Sequence, residues 1–365
     1  MRKQLIIGAA VATIAIMALS SCSSRDTSSG SGSTTIKKGD TIGVALPAKT
    51  SQNWVLAKAA FEKSIKAAGF KADVQYAAAS NTVPDQQNEI SSMVTKGDKV
   101  IIVAAQDGSQ LGTQVKAAKA AGATVIAWDR NLTGTKNLDY YVAFNNFKVG
   151  QLQGQALLDG MAKKKAAGPY NIELFAGSPD DANAPIFFNG AMSILKPKIA
   201  DGTLKVASNQ TTFQQVSTQG WLAQNAQSRM TDLLTKYYAG SKAELDGVLS
   251  PNDTLGRAIL TAVKAAGKPN PIVTGQDSET ASIPLIMQGV QYSTIYKNTQ
   301  DEAQAAIDLV VQLSKGQKPA TVIDKNNYNG VFTVPSIELT PILVTKDNAA
   351  EAYKDNPVLE PLTQQ

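Results

Sequence analysis

The sequence predicts an α/β protein made of two doubly wound domains, and three observations lead to that fold class. The chain has 365 residues, of which 43% are hydrophobic and 18% are charged, a balance that supports two hydrophobic cores and argues against disorder. From Thr41 onward, short apolar runs alternate with longer amphipathic stretches, as in parallel sheets covered by helices. Roughly a dozen such units are present, more than one sheet holds comfortably, so two domains of similar size are expected.

The first series of units begins at Thr41. TIGVAL predicts a buried strand, and residues 54–68 have the apolar spacing of a helix that ends at Gly69. The cycle continues in chain order with a strand at 73–76, a helix at 85–96, the strand KVIIVA, a helix ending at Gly122 and the strands TVIAW and YYVAF. This repetition predicts a first parallel sheet with helices on both faces.

The second series begins after Asn145. It comprises, in order, a helix at 147–164, the strand NIELF, a helix at 185–199, the strand LKVAS, a helix at 222–238, the strand LDGVLS, a helix at 254–266, the strand PIVTG, a helix at 281–287 and the strand YSTIY. The pattern predicts a second domain of the same architecture. Because neither GxxxxGK[ST] nor a strand followed by GxGxxG occurs in the sequence, no nucleotide cofactor is expected.

The N-terminal segment has the features of a secretion and anchoring signal. A basic start precedes the apolar stretch 5–19, and the sequence Leu-Ser-Ser-Cys then ends at Cys22, which resembles a bacterial lipoprotein lipobox. Residues 1–21 are therefore expected to be a signal peptide and Cys22 the lipidated first residue of the mature chain. A membrane-spanning helix is the alternative, but the stretch is shorter than the roughly 20 residues that a bilayer requires. The Ser/Gly-rich segment 22–40 is expected to be a flexible tether that holds an extracytoplasmic domain near the membrane.

The composition excludes several classes of function. The chain has no His and one Cys, which excludes a Ser-His-Asp triad, a Cys/His zinc site and an internal disulfide. Lys plus Arg is 35 against 30 for Asp plus Glu, and without Arg2 and Lys3 the excess is only +3. Such a small excess is not typical of a protein that binds nucleic acid.

Polar side chains follow the predicted strands at the edge where open α/β sheets bind ligands. In chain order these residues are Lys49, Ser51, Gln52, Asn53, Trp54, Gln106, Asp107, Asp129, Arg130, Asn145, Asn146, Ser178, Asp180, Asp181, Asn183, Asn252, Asp253, Gln276, Asp277, Lys297 and Asn298. Asp and Asn at such positions are also common helix caps, whereas Arg130 and Lys297 have no capping role at a helix N-terminus. Planar polar groups suit the vicinal hydroxyls of a sugar, and an aromatic plane suits its C–H face. Trp54 fits that stacking role and also fits a core position on its helix.

Seven segments, in this order, resemble the monosaccharide-binding proteins of ABC transporters: IGVALPAKTSQNW, MVTKGDKVIIVAAQDG, VIAWDRN, YNIELFAGSPDDANAPIFFNGAM, VLSPNDTLGRAI, TGQDSE and QYSTIYKNT. The most similar group is the xylose-binding and multiple-sugar-binding type, and the resemblance extends over residues 41–344. It implies the type I periplasmic-binding fold, in which two Rossmann-like domains joined by three crossing strands close over one sugar.

The resemblance also implies the domain boundaries. The crossings are expected near residues 140–146, 293–298 and 322–331. The N-terminal lobe is expected to comprise 41–144 and 299–323, and the C-terminal lobe 145–298 and 324–365.

The ligand-binding positions implied by the resemblance are Asn53, Trp54, Asp107, Asp129, Arg130, Asn145, Asn183, Asn225, Asn252 or Asp253, Asp277 and Lys297. Trp54 matches the stacking aromatic, and Arg130 matches a donor to the ring oxygen and a hydroxyl. The sequence departs from its relatives where Asn53 replaces a frequent Arg and Asn145 replaces a frequent Asp. The sugar preference is therefore expected to differ from that of the relatives.

The function implied by the resemblance is capture of a monosaccharide, an aldopentose or aldohexose such as xylose, arabinose, glucose or galactose, for delivery to an ABC permease. A monomer without cofactor, metal or enzymatic activity is expected. A module that senses a sugar or an autoinducer for a signalling receptor remains open on the sequence alone. A hydrolase using Asp107 and Asp277 is disfavoured, because Arg130 and Lys297 would hold both carboxylates ionised. A DNA-binding repressor would need a helix-turn-helix before Thr41, where the signal and the tether lie.

Overall fold

A computed structural model describes residues 35–79, 82–240, 244–319, 322–323 and 326–364. The predicted signal peptide, the predicted lipidation site Cys22 and most of the predicted tether lie outside the described residues. Within the described ranges, no helix has both the length and the apolar character needed to cross a bilayer.

The described chain contains strands and helices in alternation for most of its length. The strands are β1 (Thr41–Leu46), β2 (Lys71–Tyr76), β3 (Val100–Val103), β4 (Thr124–Trp128), β5 (Tyr140–Phe144), β6 (Tyr170–Leu174), β7 (Leu204–Val206), β8 (Gly247–Leu249), β9 (Ile272–Val273), β10 (Ser293–Tyr296), β11 (Ser336–Leu339) and β12 (Ile342–Thr345). The helices are α1 (Gln52–Ala67), α2 (Thr82–Lys96), α3 (Gly112–Ala120), α4 (Asn146–Lys164), α5 (Ala184–Ala200), α6 (Phe213–Val216), α7 (Ala223–Tyr237), α8 (Asp253–Ala265), α9 (Ile283–Met287), α10 (Thr299–Ser314) and α11 (Ala349–Tyr353), with short 3₁₀ turns at Gln219–Trp221 and Glu360–Gln364.

The strands form two separate parallel sheets. The first sheet has the order β2-β1-β3-β4-β5-β11 and all its pairs are parallel. The second has the order β7-β6-β8-β9, again parallel, while β10 and β12 form an antiparallel pair. Each sheet is the centre of one lobe, which confirms the predicted architecture of two α/β domains.

The central strands of the first sheet, β1, β3, β4 and β5, are buried almost throughout, which explains why they are continuous apolar runs rather than alternating ones. On β3, Val100 and Ile102 pack in a cluster with side chains of α1 and α10. Ile101 and Val103 point to the other face and pack with side chains of α2 and α3. Because successive side chains of a strand alternate between faces, one short apolar run serves two hydrophobic cores.

In the second lobe, α4 and α5 pack with their backbones in close approach. A Cβ atom at Gly150 would overlap the carbonyl oxygen of Phe187, and one at Gly190 would overlap the carbonyl oxygen of Phe147. Glycine is needed at both positions because any side chain would separate the helices. The close packing fixes the N-terminal end of α5, which Asn183 directly precedes.

The chain passes between the lobes three times, and the third passage corrects the predicted boundaries. The first passage follows β5 and the second follows β10, within the ranges expected from the sequence. The third was expected at 322–331, with residues 324–365 in the C-terminal lobe. That prediction is wrong for residues 336–339, because β11 pairs in parallel with β5 in the first sheet, while β12 pairs with β10. The third passage therefore lies at residues 340–341.

Candidate functional site

A cavity lies between the two lobes at the carboxyl ends of their strands. The space between its walls is about 390 Å³, including the part that is open to solvent. The lining residues are Thr50, Ser51, Asn53, Trp54, Asp129, Arg130, Asp181, Asn183, Phe187, Trp221, Asn252, Gln276, Asp277 and Lys297. Both lobes and the second passage contribute, so the cavity takes its shape from the way the lobes close.

The structure brings most of the sequence-predicted site residues to this cavity. Those in the lining are Asn53, Trp54, Asp129, Arg130, Asn183, Asn252, Asp277 and Lys297. Asp107, Asn145, Asn225 and Asp253 do not line it. Each of these four side chains has other partners.

Asp107 and Asn145 bind to nearby backbone groups. Asp107 Oδ1 accepts a hydrogen bond from the backbone N–H of Ser109 at 2.9 Å, as in an ordinary turn. Asn145 Oδ1 accepts from the backbone N–H of Lys148 at 2.8 Å and caps α4, while its Nδ2 donates to Glu338 at 3.2 Å. Contrary to the prediction, the structure does not place either side chain at the cavity, because local capping holds each one at its own turn.

Asn225 and Asp253 also lie away from the cavity. Asn225 is exposed and donates from Nδ2 to the carbonyl of Gln219 at 3.0 Å. Asp253 is fully buried and accepts from Gln291 at 2.8 Å and from Thr294 at 3.0 Å. Burial raises the pKa of Asp253 well above its usual range. Of the two neighbours that the sequence left open, Asn252 is the one in the lining.

Arg130 lies just after β4 and is the principal cation that the first lobe presents to the cavity. Its Nε lies 3.0 Å from Asp181 Oδ2 of the second lobe, and its guanidinium carbon lies 5.0 Å from the centroid of the Trp54 ring, within the range of a cation–π interaction. Nη1 makes long contacts to the carbonyls of Ala105 and Gln106 at 3.4 and 3.5 Å. Nη2 makes no hydrogen bond to a described residue, which makes it a candidate donor to a ligand.

Lys297 lies on the second passage between two carboxylates. Its Nζ is 3.0 Å from Asp277 Oδ1 and 3.9 Å from Asp129 Oδ2. Burial by itself lowers the pKa of Lys297, but the charges of Asp277, Asp129 and Glu302 outweigh burial and raise it. Burial raises the pKa of Asp129. Lys297 is therefore a permanent cation in a group of buried acids.

The two carboxylates beside Lys297 are held on unusual backbone. Asp129 has φ 56° and Asp277 has φ 90°. Both values lie in the left-handed region, which residues other than glycine seldom adopt. The N–H of Asp129 donates to the carbonyl of Val142, and that of Asp277 to the carbonyl of Ile295, both at 2.9 Å. Backbone strain of this kind concentrates at functional sites, where the surrounding structure holds it in place.

Both lobes contribute aromatic side chains to the lining. Trp54 packs edge-on against Trp128, with ring centroids 6.3 Å apart, so it belongs to the first core and to the cavity at once. In the second lobe, the indole of Trp221 donates from Nε1 to Asp181 at 3.1 Å. A Cβ atom at Gly177 would overlap the Trp221 ring, so the glycine makes room for it. Phe187 adds a third aromatic wall.

The amides and the remaining lining residues complete the site. Asn183 Nδ2 donates to the carbonyl of Asp129 at 2.7 Å, and Asn252 Oδ1 accepts from the backbone N–H of Leu255 at 2.9 Å as the cap of α8. Gln276 donates to the carbonyl of Pro251 at 2.7 Å, and its buried Oε1 has no partner among the described residues. Polar atoms of this kind suit a ligand that both donates and accepts hydrogen bonds.

Sequence reasoning did not select Thr50, Ser51, Asp181, Phe187, Trp221 and Gln276, which also line the cavity. Asp181 and Gln276 do follow predicted strands, but nothing local distinguishes them from helix caps and turn residues. Among the described residues, no group of acidic or Cys side chains is arranged to hold a metal ion.

The fold and the polar cavity define a two-lobed solute-binding protein. Residues 42–318 match the family named periplasmic binding protein domain, and the chain belongs to that family.

Three similar proteins illustrate the relationship. The chain is 45% identical over 313 residues to the multiple sugar-binding periplasmic receptor ChvE of Rhizobium radiobacter, covering 84% of this chain and 87% of that protein. It is 33% identical over 308 residues to the D-xylose-binding periplasmic protein of Escherichia coli, covering 84% and 87%. A crystal structure of an ABC transporter solute-binding protein from Clostridium phytofermentans, with bound β-D-glucose, superposes with a TM-score of 0.83 at 35% identity, covering 89% of this chain and 100% of that one.

Proposed function

We propose that this protein is an extracytoplasmic, lipid-anchored solute-binding protein that captures a monosaccharide by closure of its two lobes and delivers it to an ABC permease. The ligand class is an aldopentose or an aldohexose such as xylose, arabinose, glucose or galactose. The observation that carries the proposal is the cavity between the lobes, in which cations, carboxylates, amides and aromatic rings from both lobes meet.

The lining matches the hydrogen-bonding needs of a sugar. Each hydroxyl both donates and accepts, so it requires acceptors such as Asp129 and Asp277 beside donors such as the Nη2 group of Arg130. Each hydrogen bond contributes a net ~1 kcal/mol, and bonds to charged groups contribute about 1.5–3 kcal/mol. A handful of such bonds in a closed site is enough for tight, reversible binding.

The charge pairing in the lining favours a neutral ligand. Arg130 is paired with Asp181 and Lys297 with Asp277, so an uncharged ligand can bind without leaving a buried charge uncompensated. The apolar C–H face of a pyranose fits against an aromatic plane, and Trp54 supplies one beside Arg130.

The relatives support the same ligand class. They include a multiple sugar-binding receptor, a D-xylose-binding protein and a solute-binding protein with bound β-D-glucose. The lipid anchor is proposed from the sequence before Cys22, and delivery to a permease from the ABC transporter assignment of the glucose-bound relative.

Isothermal titration calorimetry with xylose, arabinose, glucose, galactose, ribose and fructose tests the proposal. We expect at least one aldose to bind with a dissociation constant of about 10 μM or lower, a free energy near −7 kcal/mol. Arg130→Ala is expected to weaken that binding roughly 100-fold, because a charged donor to a buried hydroxyl is lost. The exposed Lys198, also a cation, provides the control Lys198→Ala, which is expected to bind like the wild type. Absence of binding to every sugar at millimolar concentration would overturn the proposal.

A further inference from the structure

We propose that Asp181 is a positioning residue that fixes Arg130 as a sugar-binding donor when the lobes close. The assignment rests on the proposed function, because the donor it fixes is a donor to the sugar. Asp181 acts through Arg130 and Trp221 and needs no contact of its own with the ligand.

Both oxygens of the Asp181 carboxylate are engaged. Asp181 is 4% exposed and lies between β6 and α5 of the second lobe. Oδ2 is shared by Arg130 Nε at 3.0 Å and the indole Nε1 of Trp221 at 3.1 Å, and Oδ1 accepts from the backbone N–H of Asn183 at 2.9 Å. One carboxylate therefore links two lining side chains that belong to different lobes.

The contact between Arg130 and Asp181 depends on closure, whereas the other contacts of Asp181 do not. Arg130 follows β4 of the first sheet, and Asp181 follows β6 of the second. Rotation of one lobe away from the other separates this pair, but leaves Trp221 and Asn183 in place because both belong to the same lobe as Asp181. Arg130 then loses its ion pair with Asp181 and retains its long Nη1 contacts to carbonyls of the first lobe and its contact with the Trp54 ring of the same lobe.

Closure thus changes how firmly the guanidinium is held. The ion pair between Nε and Asp181 at 3.0 Å and the Trp54 ring at 5.0 Å together restrict the orientation of the group. That orientation determines where Nη2, the candidate donor to a ligand, is directed. Without the carboxylate, the closed state would also bury an unpaired cation, since Arg130 is only 5% exposed. Asp181 therefore stabilises the closed, liganded state more than the open one.

Asp181→Asn tests this assignment, and Asp180→Asn is the matched control. Asparagine has nearly the same shape and keeps an acceptor for Trp221, but removes the charge that Arg130 requires. Loss of one member of a buried charge pair mainly increases the dissociation rate constant. We expect the equilibrium dissociation constant for the sugar to rise roughly 30-fold or more in Asp181→Asn. The association rate constant should change by less than about threefold. Asp180→Asn makes the same charge change one residue away and is expected to bind like the wild type.

A double-mutant cycle distinguishes positioning from a merely structural role. If Asp181 acts through Arg130, Asp181→Asn causes little further loss of affinity in a chain that already carries Arg130→Ala. A full additional loss in that background, or wild-type affinity of the single variant Asp181→Asn, overturns the assignment while leaving the proposed function intact. Failure of the wild-type protein to bind any sugar removes the proposed function, and the assignment falls with it.

Discussion

Lys297 shows how one side chain can determine the charge balance of the whole cleft. It is 9% exposed and is the cation nearest to Asp277 and Asp129. The buried Glu302 adds a third acid to this group, and burial raises the pKa of Glu302 well above its usual range. Charges in a buried group interact strongly, so removal of Lys297 would leave the repulsion between these carboxylates uncompensated.

We therefore expect Lys297→Met to lower the free energy of unfolding at pH 7 by about 3–5 kcal/mol, the usual result of breaking a buried ion pair. Urea denaturation measures this change. The loss should become smaller as the pH is lowered toward 5. Burial raises the pKa of Asp129 and Glu302 above their unfolded values, so without Lys297 the folded state gains protons at these two groups, and relative stability, as the pH falls.

Lys163→Met is the control for that change of charge and shape. Lys163 pairs with Asp347 at 2.8 Å, but both side chains are largely exposed, and such pairs contribute at most about 1 kcal/mol. Equal destabilisation by the two substitutions, or a deficit at Lys297 that does not depend on pH, would contradict the account of the buried charge group.

At the scale of elements, the contact between α4 and α5 determines where the polar end of the second lobe lies. The two helices approach so closely that glycine is required at Gly150 and Gly190. α5 begins directly after Asn183, which donates to the carbonyl of Asp129 in the other lobe. The packing of these two helices thus helps to place an amide in the cavity.

Gly150→Ala is expected to reduce the free energy of unfolding by about 1–3 kcal/mol, because the new methyl group would overlap backbone and force the helices apart. The same substitution at Gly112, which has no atom within 4 Å of an added Cβ, should be neutral or stabilising by up to ~1 kcal/mol. Chemical denaturation of both variants measures the difference. Equal stability of the two would show that α4 and α5 have room to move.

At the scale of the whole molecule, the proposed role requires that the two lobes remain near the membrane. The sequence before the described residues supplies the only Cys of the chain, Cys22, in a lipobox-like motif. Cys22→Ala, expressed in a bacterium that processes lipoproteins, is expected to move the protein from the membrane fraction to the soluble fraction while its sugar affinity stays unchanged. Fractionation followed by immunoblotting measures this shift. Retention of the variant in the membrane fraction would rule out lipidation at this position.

The sequence was sufficient for the architecture because the central parallel strands, such as β1, β3 and β4, are buried on both faces and are therefore almost continuously apolar. It was insufficient for the third passage, where SIEL and ILVT are two short strands with little to distinguish them. Their pairing with β5 and β10 depends on which sheet edge is available, and that is a property of the folded molecule.

Some residues of the candidate site could likewise be predicted from the sequence, and others could not. Arg130 and Lys297 could be selected from the sequence because a cation after a strand has no capping role. Asn145 and Asn252 are both helix caps in the structure, yet only Asn252 lines the cavity, and no local pattern separates the two. Asp181 was not selected because its partners lie 51 residues before it and 40 residues after it in the sequence.

The shortness of the three passages between the lobes has a mechanical consequence. Asn145 alone separates β5 from α4, residues 297–298 separate β10 from α10, and residues 340–341 separate β11 from β12. Three short passages permit bending but resist twisting and sliding. The lobes can therefore move relative to each other mainly by one hinge rotation. In the proposed closure, Arg130 and Asp181 would meet at a high effective concentration. Because Lys297 lies on one of these passages, bending of the hinge would also assemble the site.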